Sequence, residues 1–438
     1  MRTLSSRRNP QRGAVLIHVA IALLGLVAFS AFVVDYGIMW VSRGQAQTSA
    51  DAGALSGAIA LAFEGATDFD GAKQKARAIA LANAVFGQAP DVDLGIGLLD
   101  GDVTFPECPP NTPGLPDTCV KVDVYRNQLR GNPLPMFFGH MVGVGEQGVR
   151  ATATAQILTG DSTDCLKPWA VVDRWNEKTP AGVDEPWTPE STYDKYSDGK
   201  GNRPPFEPDV YLPPGGSNGD GTGFTLPEDE GRQFAVKTEG VNISSGWFME
   251  IRLPRADGAW SGGNTYENNI KTCGGLTYSI AKPDVPCPTN IDQDTAAEWA
   301  AKGCFLVKTG GTVGPTRQGV EFLINKDLGA TWSGGKITGS AFSPATNSPR
   351  VVPIGVMDID DYLSRDPTGT NGIARLVNIY GFFIEGMGTG EYNGDGVMET
   401  STNGKAVIGR LIKIPTTGTS TSPLPSTSAW LNQVILVR

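Results

Sequence analysis

The sequence predicts an α+β protein in which an N-terminal transmembrane helix continues into an Ala-rich helical segment. A β-rich, loop-rich, disulfide-containing extracytoplasmic body then follows. Three observations predict this class. A long uncharged apolar run lies near the start of the chain, glycine and proline are abundant (56 and 31 residues), and all six cysteines follow the apolar run. A chain of 438 residues is long enough for two or three domains.

The first element is the membrane helix. Positions 1–12 hold four arginines and no acidic residue, and residues 14–34 then read AVLIHVAIALLGLVAFSAFVV. In a helix this run spans about 30 Å, the thickness of a hydrocarbon core. Because positive charge stays on the cytoplasmic side, we expect a basic cytoplasmic N-terminus at residues 1–13 and a transmembrane helix at residues 14–41. The rest of the chain is then periplasmic or extracellular.

Two alternatives to a retained membrane helix remain open. Ala28-Phe29-Ser30 resembles a signal-peptidase site, and cleavage there would release a soluble secreted protein. The apolar run continues past that site to Val34, which favours retention. The run can also be read as the core helix of a cytosolic protein, but its basic flank and its uncharged length argue against this interpretation.

The Ala-rich helical segment covers residues 42–88. Residues 36–63 contain no proline, so the membrane helix either continues into water or restarts at once, although four glycines weaken the expectation of one unbroken helix. Alanine recurs at every fourth position, at Ala46, Ala50, Ala54, Ala58 and Ala62. This alanine ridge allows the close approach of another helix, which belongs either to a partner protein or to the same domain.

A second helix is predicted at residues 71–86, with Asp70 as N-cap and Gly87 as the stop. Beyond Pro90 the pattern changes to short β-like runs separated by proline and glycine. We expect a small β-containing region at residues 89–160, with strands at 120–124 and 151–157. A β-rich extracytoplasmic domain follows at residues 161–438, with strands at 247–253, 376–384, 407–414 and 430–437. Residues 175–230 are predicted to be an irregular surface excursion, and residues 415–428 a linker.

The cysteines predict disulfide bonds. Six cysteines, at positions 108, 119, 165, 273, 287 and 304, lie in the part of the chain that is predicted to be exported. Fifteen pairings are possible. Short spacing favours Cys108 with Cys119 and Cys273 with Cys287, which leaves Cys165 with Cys304. A zinc site is the weaker alternative, because the sequence has no C-x-x-C spacing and only one histidine outside the apolar run.

The sequence carries little catalytic chemistry. His18 lies inside the apolar run and His140 is the only other histidine, and no nucleophile elbow, P-loop or zinc-protease motif is present. Acidic clusters at 358–361 and 391–395 could chelate calcium, but neither completes a calcium loop that ends in glutamate. We therefore assign no catalytic, cofactor-binding or metal residue, and we expect no cofactor and no enzymatic activity. The net charge of -10 also argues against nucleic acid as a partner.

The N-terminal segment resembles a known family. RGAVLIHVAIALLGLVAFSAFVVDYG is followed by QTSADAGALSGA at residues 47–58, a combination that resembles the TadE/TadG-like proteins of Flp (tight adherence, type IVb) pilus assembly. The matching positions are Asp35, Gly37, Gln47, Ala50, Asp51, Ala52, Ala54, Leu55, Gly57 and Ala58. The resemblance implies a non-enzymatic, membrane-anchored component of a Flp/Tad pilus-assembly or secretion apparatus. Its implied partners are the bacterial inner membrane and other Tad or Flp proteins or pilins.

The chain departs from some of these relatives. Prepilin-type relatives are cut after a glycine and carry glutamate five residues later; here Gly13 is present but His18 occupies the glutamate position, so we expect no efficient cleavage. The D-x-S-x-S metal motif of relatives with a von Willebrand A domain is absent. The alternative function is a membrane-anchored periplasmic module that binds or hydrolyses glycan, an interpretation that rests on abundant Trp and Asp rather than on a motif.

Overall fold

The computed structural model describes residues 11–63, 68–108, 119–179, 182–188, 191–194, 208–215, 217, 219–236, 248–258, 262–282, 284–290, 293–308, 312–365, 372–393, 397–416, 424 and 428–437. The predicted α+β class is confirmed: a long apolar helix precedes a strand-rich body with three disulfide bonds. Most of the basic N-terminus and most of the predicted 415–428 linker lie outside the described residues.

The described helices are α1 (Gln11–Phe63), α2 (Phe69–Ala82), α3 (Gly263–Lys271), α4 (Ala296–Ala301), α5 (Val313–Asn325) and α6 (Ile359–Ser364). α1 has 53 residues and is therefore about 80 Å long. Its glycines do not interrupt it, so the predicted transmembrane helix and the first part of the Ala-rich segment, up to Phe63, form one continuous helix. The predicted bounds of α2 were wrong by a few residues, because Asp68 rather than Asp70 is the N-cap and accepts a hydrogen bond from the Gly71 backbone.

The strands of the first half of the chain are β1 (Val103–Thr104), β2 (Cys119–Arg126), β3 (Leu134–Pro135), β4 (Glu146–Gln147), β5 (Val149–Thr159), β6 (Ser162–Thr163), β7 (Trp169–Val172), β8 (Glu177–Lys178), β9 (Asp184–Glu185) and β10 (Gln233–Ala235). Those of the second half are β11 (Phe248–Arg252), β12 (Tyr278–Ser279), β13 (Cys304–Lys308), β14 (Thr331–Ser333), β15 (Lys336–Thr338), β16 (Val351–Met357), β17 (Gly372–Tyr392), β18 (Met398–Thr400), β19 (Ala406–Ile412), β20 (Ile414–Pro415) and β21 (Leu431–Val437). All six strands predicted from the sequence are present.

A five-stranded sheet in the order β1-β2-β5-β21-β20 packs against α1 and α2. β2 and β5 are antiparallel, with Val122 opposite Ala153, and these alternating small and branched side chains are buried on one face of the sheet. β21 pairs with the other edge of β5, with Asn432 opposite Thr159. The last described strand therefore joins the same sheet as strands near residue 103. The predicted domain boundary at residue 160 stays a prediction.

The body contains an eight-stranded sheet in which β16 pairs with both β7 and β17. The strands β17, β13, β11, β7 and β16 thus form a closed circuit of pairings, and β19 and β10 extend it from β17. The core of this unit is aromatic and includes Trp169, Tyr380, Phe382 and Trp430. Closure leaves few free sheet edges, which protects the body from edge-to-edge association.

The segment at residues 175–230 differs from its prediction as a surface excursion. Its described residues include only two short strands, β8 and β9, and Trp175, Tyr193, Tyr211 and Phe224 are all buried in the core of the body. The ring contacts run from Trp175 to Tyr193 and from Phe224 to Phe234. The Gly and Pro content predicted the scarcity of helices and strands among these described residues, whereas the burial of their large aromatic side chains was not predicted.

Three disulfides join all six cysteines: Cys108 with Cys119, Cys165 with Cys273, and Cys287 with Cys304. Full oxidation and the first pair are confirmed. The predicted pairs Cys273 with Cys287 and Cys165 with Cys304 are wrong. Cys273 follows the end of α3 and lies against the segment before β7, while Cys304 opens β13 beside the loop that carries Cys287. The fold, not the spacing along the chain, therefore decides these two pairs.

Candidate membrane anchor and helix-packing site

The first half of α1 presents an apolar surface that no other part of the described chain covers. From Val15 to Val34 every side chain is exposed except that of Ala31, and Leu16, Leu24 and Phe29 are 74%, 71% and 68% exposed. Among the described residues α1 is the one helix that is long and apolar enough to cross a membrane. A continuous surface of this kind is unfavourable in water and is suited to contact with lipid.

Asp35, the first charged residue after the apolar run, fastens a distant loop to α1. One carboxylate oxygen accepts the backbone N–H of Phe137 at 2.9 Å, and the other accepts those of Phe138 and Gly139 at 3.0 and 2.6 Å. These donors lie at the start of a short 3-10 helix (Gly139–Val142), where backbone N–H groups have no partner inside the helix. Hydrogen bonds to a carboxylate are short and strong, so Asp35 fixes this loop at the end of the apolar run.

The body covers one side of α1 from the end of the apolar run onward. Ala31, Asp35 and Ser42 share that side and are 8%, 5% and 0% exposed. The rings of Phe32, Tyr36 and Trp40 stack along another, exposed side, with centroid separations of 6.0 and 6.4 Å. Aromatic side chains at this position are typical of the boundary between lipid and water.

The alanine ridge is covered by the chain itself. All five of its residues are at most 2% exposed, and they lie against α2 and the five-stranded sheet. α2 contributes three equally buried alanines, Ala72, Ala76 and Ala80. The interpretation of the ridge as a seam for a partner protein's helix is therefore wrong, because α2 already occupies the position that such a helix would take.

Two glycines of the same segment set the distance between α1 and α2. A Cβ atom placed on Gly57 would lie 2.9 Å from Val120 Cγ1 and 3.0 Å from Ala76 Cβ. One placed on Gly53 would lie 3.0 Å from the Cβ of Ala80. Such distances are shorter than van der Waals contact, so close approach of the helices requires glycine despite its cost in a helix.

The polar residues of the segment bond α1 to its own domain. Ser49 Oγ donates to the carbonyl of Ala80 at 2.8 Å, and Gln45 Oε1 accepts the backbone N–H of Phe86 at 2.7 Å. Gln47 Nε2 donates to Asp51 at 2.8 Å and to the carbonyl of Thr152 at 3.1 Å. These side chains therefore support folding of the chain on itself.

The described residues contain no cluster of three or more His, Cys, Asp or Glu that could hold a metal ion. In the first acidic cluster Asp358 caps α6 through the Asp361 backbone, and Asp361 pairs with Arg365. Asp395 of the second cluster lies outside the described residues. His140 is exposed within the loop that Asp35 holds.

The most perturbed ionisable groups of the body are interior ones. Asp173 is fully buried, and this burial raises its pKa to about 6 although it accepts hydrogen bonds from the backbone of Phe224 and the hydroxyl of Tyr380. Burial also lowers the pKa of Lys167 to about 7. Because both groups lie inside the core, their pKa shifts reflect burial and do not mark an accessible catalytic centre.

Four of the tryptophans, the residue type that suggested a glycan site, lie in the core of the described chain. Trp169, Trp175, Trp299 and Trp430 are at most 1% exposed. Among the described tryptophans Trp40 is the most exposed, at 68%, and it lies on α1 just beyond the apolar run. Sugar binding needs an exposed ring face, which these four buried tryptophans do not offer.

The hydrogen bonds between Asp35 and the loop at Phe137 were not predicted, and His140 was the only residue of this loop that the sequence singled out. A signal was present: residues 134–145 contain no Asp, Glu, Lys or Arg. An uncharged, Phe-containing stretch in a surface loop indicates a special environment.

One segment of the chain matches a known protein family. Residues 13–60 match a family model described as putative Flp pilus-assembly TadE/G-like. The match covers both halves of α1, the exposed apolar half and the half that packs on the sheet, and it confirms the resemblance found in the sequence. No curated protein and no solved structure matches the chain.

Proposed function

We propose that the protein is a membrane-anchored, non-enzymatic component of a Flp/Tad-type pilus-assembly or secretion apparatus, similar to TadG-like proteins. The observation that carries the proposal is the family match at residues 13–60, which coincides with a helix whose first half is exposed and apolar. The β-rich body then acts as the part that contacts other envelope proteins, and the helix seats it in the inner membrane.

The proposed topology is a single pass with the N-terminus in the cytoplasm and the body in the periplasm or outside the cell. Two features support it. The basic residues precede the apolar run, and three disulfides lie beyond it, as expected for a compartment that allows oxidation. We expect alkaline phosphatase fused after Val41 to be active. An inactive fusion together with an active cytoplasmic reporter at the same site would reverse the orientation.

The proposed partners are other Tad or Flp proteins or pilins. Because α2 fills the alanine ridge, a partner helix can contact α1 along residues 15–34 and along the exposed side that continues to Tyr36 and Trp40. Other partners must contact the surface of the body. This restricts the search for an interface to two surfaces.

The direct test compares a deletion strain with two complementing proteins. One is the native chain, and the other carries an unrelated membrane helix in place of residues 15–34, which keeps the anchor and the body but changes the helix surface. We expect the deletion to abolish pilus formation and surface adherence, and the native chain to restore both and to co-purify with pilus-assembly proteins. Normal pili in the deletion strain, with no pilus-assembly protein in the purified complex, would refute the proposal. Restoration by the exchanged helix would place the interface on the body.

The same purified protein tests whether the N-terminus is processed. We expect N-terminal sequencing to find the unprocessed start. A start at Ala14 would show cleavage by a prepilin peptidase despite His18, and a start at Ala31 would show release by signal peptidase.

A further inference from the structure

We propose that the exit loop, defined as residues 136–145 between β3 and β4, is a second membrane contact that places Phe137 and Phe138 among the lipid headgroups beside α1. The partner is the lipid surface of the leaflet that faces the body. This proposal rests on the proposed membrane anchoring by α1 and adds to it a device that sets the orientation of the body.

The first argument is position along the membrane normal. Asp35 follows the apolar run directly, so a membrane that accommodates residues 14–34 places this carboxylate at its surface. Three hydrogen bonds hold the backbone of residues 137–139 against the same carboxylate. The backbone of the exit loop therefore lies level with the membrane surface.

The second argument is depth. Ala31 lies one helical turn, about 5.4 Å, inside the apolar run, and it is only 8% exposed although its neighbours in the run are exposed. α1 also contacts the short 3-10 helix of the exit loop. The protein thus covers α1 about one turn below Asp35, which corresponds to the depth at which interfacial segments sit between headgroups and acyl chains.

The third argument is the chemistry of the loop. Phe137 is 61% exposed, Phe138 is 40% exposed and Val144 is 38% exposed, while Leu134 and Met136 are buried and attach the loop to its domain. No charged side chain occurs in residues 134–145. Exposed phenylalanines on an uncharged loop are poorly suited to water and well suited to the lipid interface.

Two attachment points constrain the body more than one helix can. A single membrane helix can tilt and rotate, and its tilt is set by packing and by interfacial anchors. α1 supplies one point and the exit loop supplies a second, and Asp35 connects the two rigidly. The consequence is a fixed face of the body toward the membrane and a fixed face toward partners.

Quenching of a fluorophore by lipid nitroxides tests the proposal in the full-length protein. An NBD group is attached, without reductant, to the added cysteine of each of three variants in phosphatidylethanolamine/phosphatidylglycerol vesicles: Phe137→Cys, Leu23→Cys and Leu328→Cys. Leu23 reports the centre of α1, and Leu328, which is 70% exposed on the body, is the matched surface control. We expect headgroup nitroxides to quench the label at position 137, deep acyl nitroxides to quench the label at 23, and neither to quench the label at 328.

The outcomes separate the two proposals. If the label at 23 is quenched and the label at 137 is not, the exit loop does not touch lipid and the membrane anchor stands. If neither label is quenched, the anchor itself is refuted and the loop proposal falls with it. Quenching at 137 equal to that at 328 would also overturn the loop proposal.

The Asp35→Asn substitution, introduced into the variants labelled at positions 137 and 23, tests the role of the carboxylate. The amide places an N–H donor against one of the loop's N–H donors, so we expect the loop to detach and the label at 137 to lose its quenching, while the label at 23 keeps its own. Unchanged disulfides and tryptophan emission serve as the control for folding of the body. Quenching at 137 that survives Asp35→Asn would show that Asp35 does not hold the loop in the interface.

Discussion

The two halves of α1 share one backbone conformation and have opposite surroundings. In the first half Leu24 is 71% exposed, and in the second half Ala54 is fully buried. The first half consists mainly of large aliphatic and aromatic residues, and the second mainly of Ala, Gly and Ser. The comparison teaches that side-chain size, not helix propensity, assigns each half to its environment.

Each composition suits a different kind of contact. Large apolar side chains cover the backbone and give the area that lipid solvates. Small side chains leave the backbone uncovered, so that α2 and the sheet can approach α1 closely and gain dispersion contacts. The same substitution should therefore have different consequences in the two halves. The four predictions below test the exposed apolar half and the packed half, from the largest expected effect to the smallest.

The largest effect is expected from charge in the exposed half. Leu23→Arg combined with Leu24→Arg places two guanidinium groups at the centre of the apolar run, at a cost of about 3 kcal/mol for each substitution in membrane insertion. We expect the protein to leave the membrane pellet after an alkaline carbonate wash. Leu23→Ile with Leu24→Ile is the uncharged control and should stay in the pellet. A double-arginine protein that remains there would mean that lipid does not surround this half.

The next largest effect is expected when an alanine in one half of α1 is replaced by leucine. Ala54→Leu forces a larger side chain between α1 and α2, and overpacking of this kind costs about 1–3 kcal/mol. Ala28→Leu is the matched control, because Ala28 is exposed in the apolar run. Hydrogen exchange of α2 amides should become faster in Ala54→Leu and stay unchanged in Ala28→Leu. Equal exchange in both variants would show that the ridge tolerates bulk and is not a tight interface.

Replacing each of two glycines of α1 with alanine should change the stability in opposite directions. Gly57→Ala brings a methyl group to 2.9 Å from Val120, so we expect a loss of stability of about 1 kcal/mol. Gly44→Ala meets no atom within 4 Å and should stabilise the helix by about 0.5–1 kcal/mol, because alanine loses less backbone entropy than glycine. Amide exchange near each site measures both changes. Stabilisation by Gly57→Ala would contradict the close approach.

The smallest contrast is between two buried serines. Ser49→Ala removes a hydrogen bond to the Ala80 carbonyl and should cost about 1 kcal/mol. Ser42 is also fully buried, but its hydroxyl has no hydrogen-bond partner among the described residues, so Ser42→Ala should be neutral or slightly stabilising. Thermal unfolding of the two variants measures the difference. A larger loss for Ser42→Ala would indicate that this hydroxyl bonds to a partner protein or to water.

Local patterns in the sequence predicted the elements well. The apolar run predicted the exposed half of α1, and the alternation at Val120, Val122 and Val124 predicted β2, because periodicity is a direct consequence of helix and strand geometry. The alanine spacing also predicted a small-residue face. It could not tell whether α2 or a partner's helix covers that face, since periodicity describes the surface of one helix and not its neighbour.

Long-range contacts could not be predicted from the sequence, for a physical reason. Asp35 bonds to residues more than one hundred positions away, and no local pattern marks which backbone N–H groups a carboxylate will meet. The disulfides show the same limit, since Cys165 and Cys273 meet only because α3 returns the chain to the start of β7. At the candidate site the sequence predicted the long apolar helix but not the loop beside it.

The pairing of β21 with β5 has a consequence for the order of events during synthesis. Ribosomes complete β5 long before β21, so the edge of β5 that later receives Asn432 stays open while the whole body is being made. An open strand edge is prone to pair with other chains. The nascent protein therefore depends on β21 to complete the sheet that β2 and β5 begin, and a chaperone that shields the edge of β5 until then would act when the chain is most prone to pair with others.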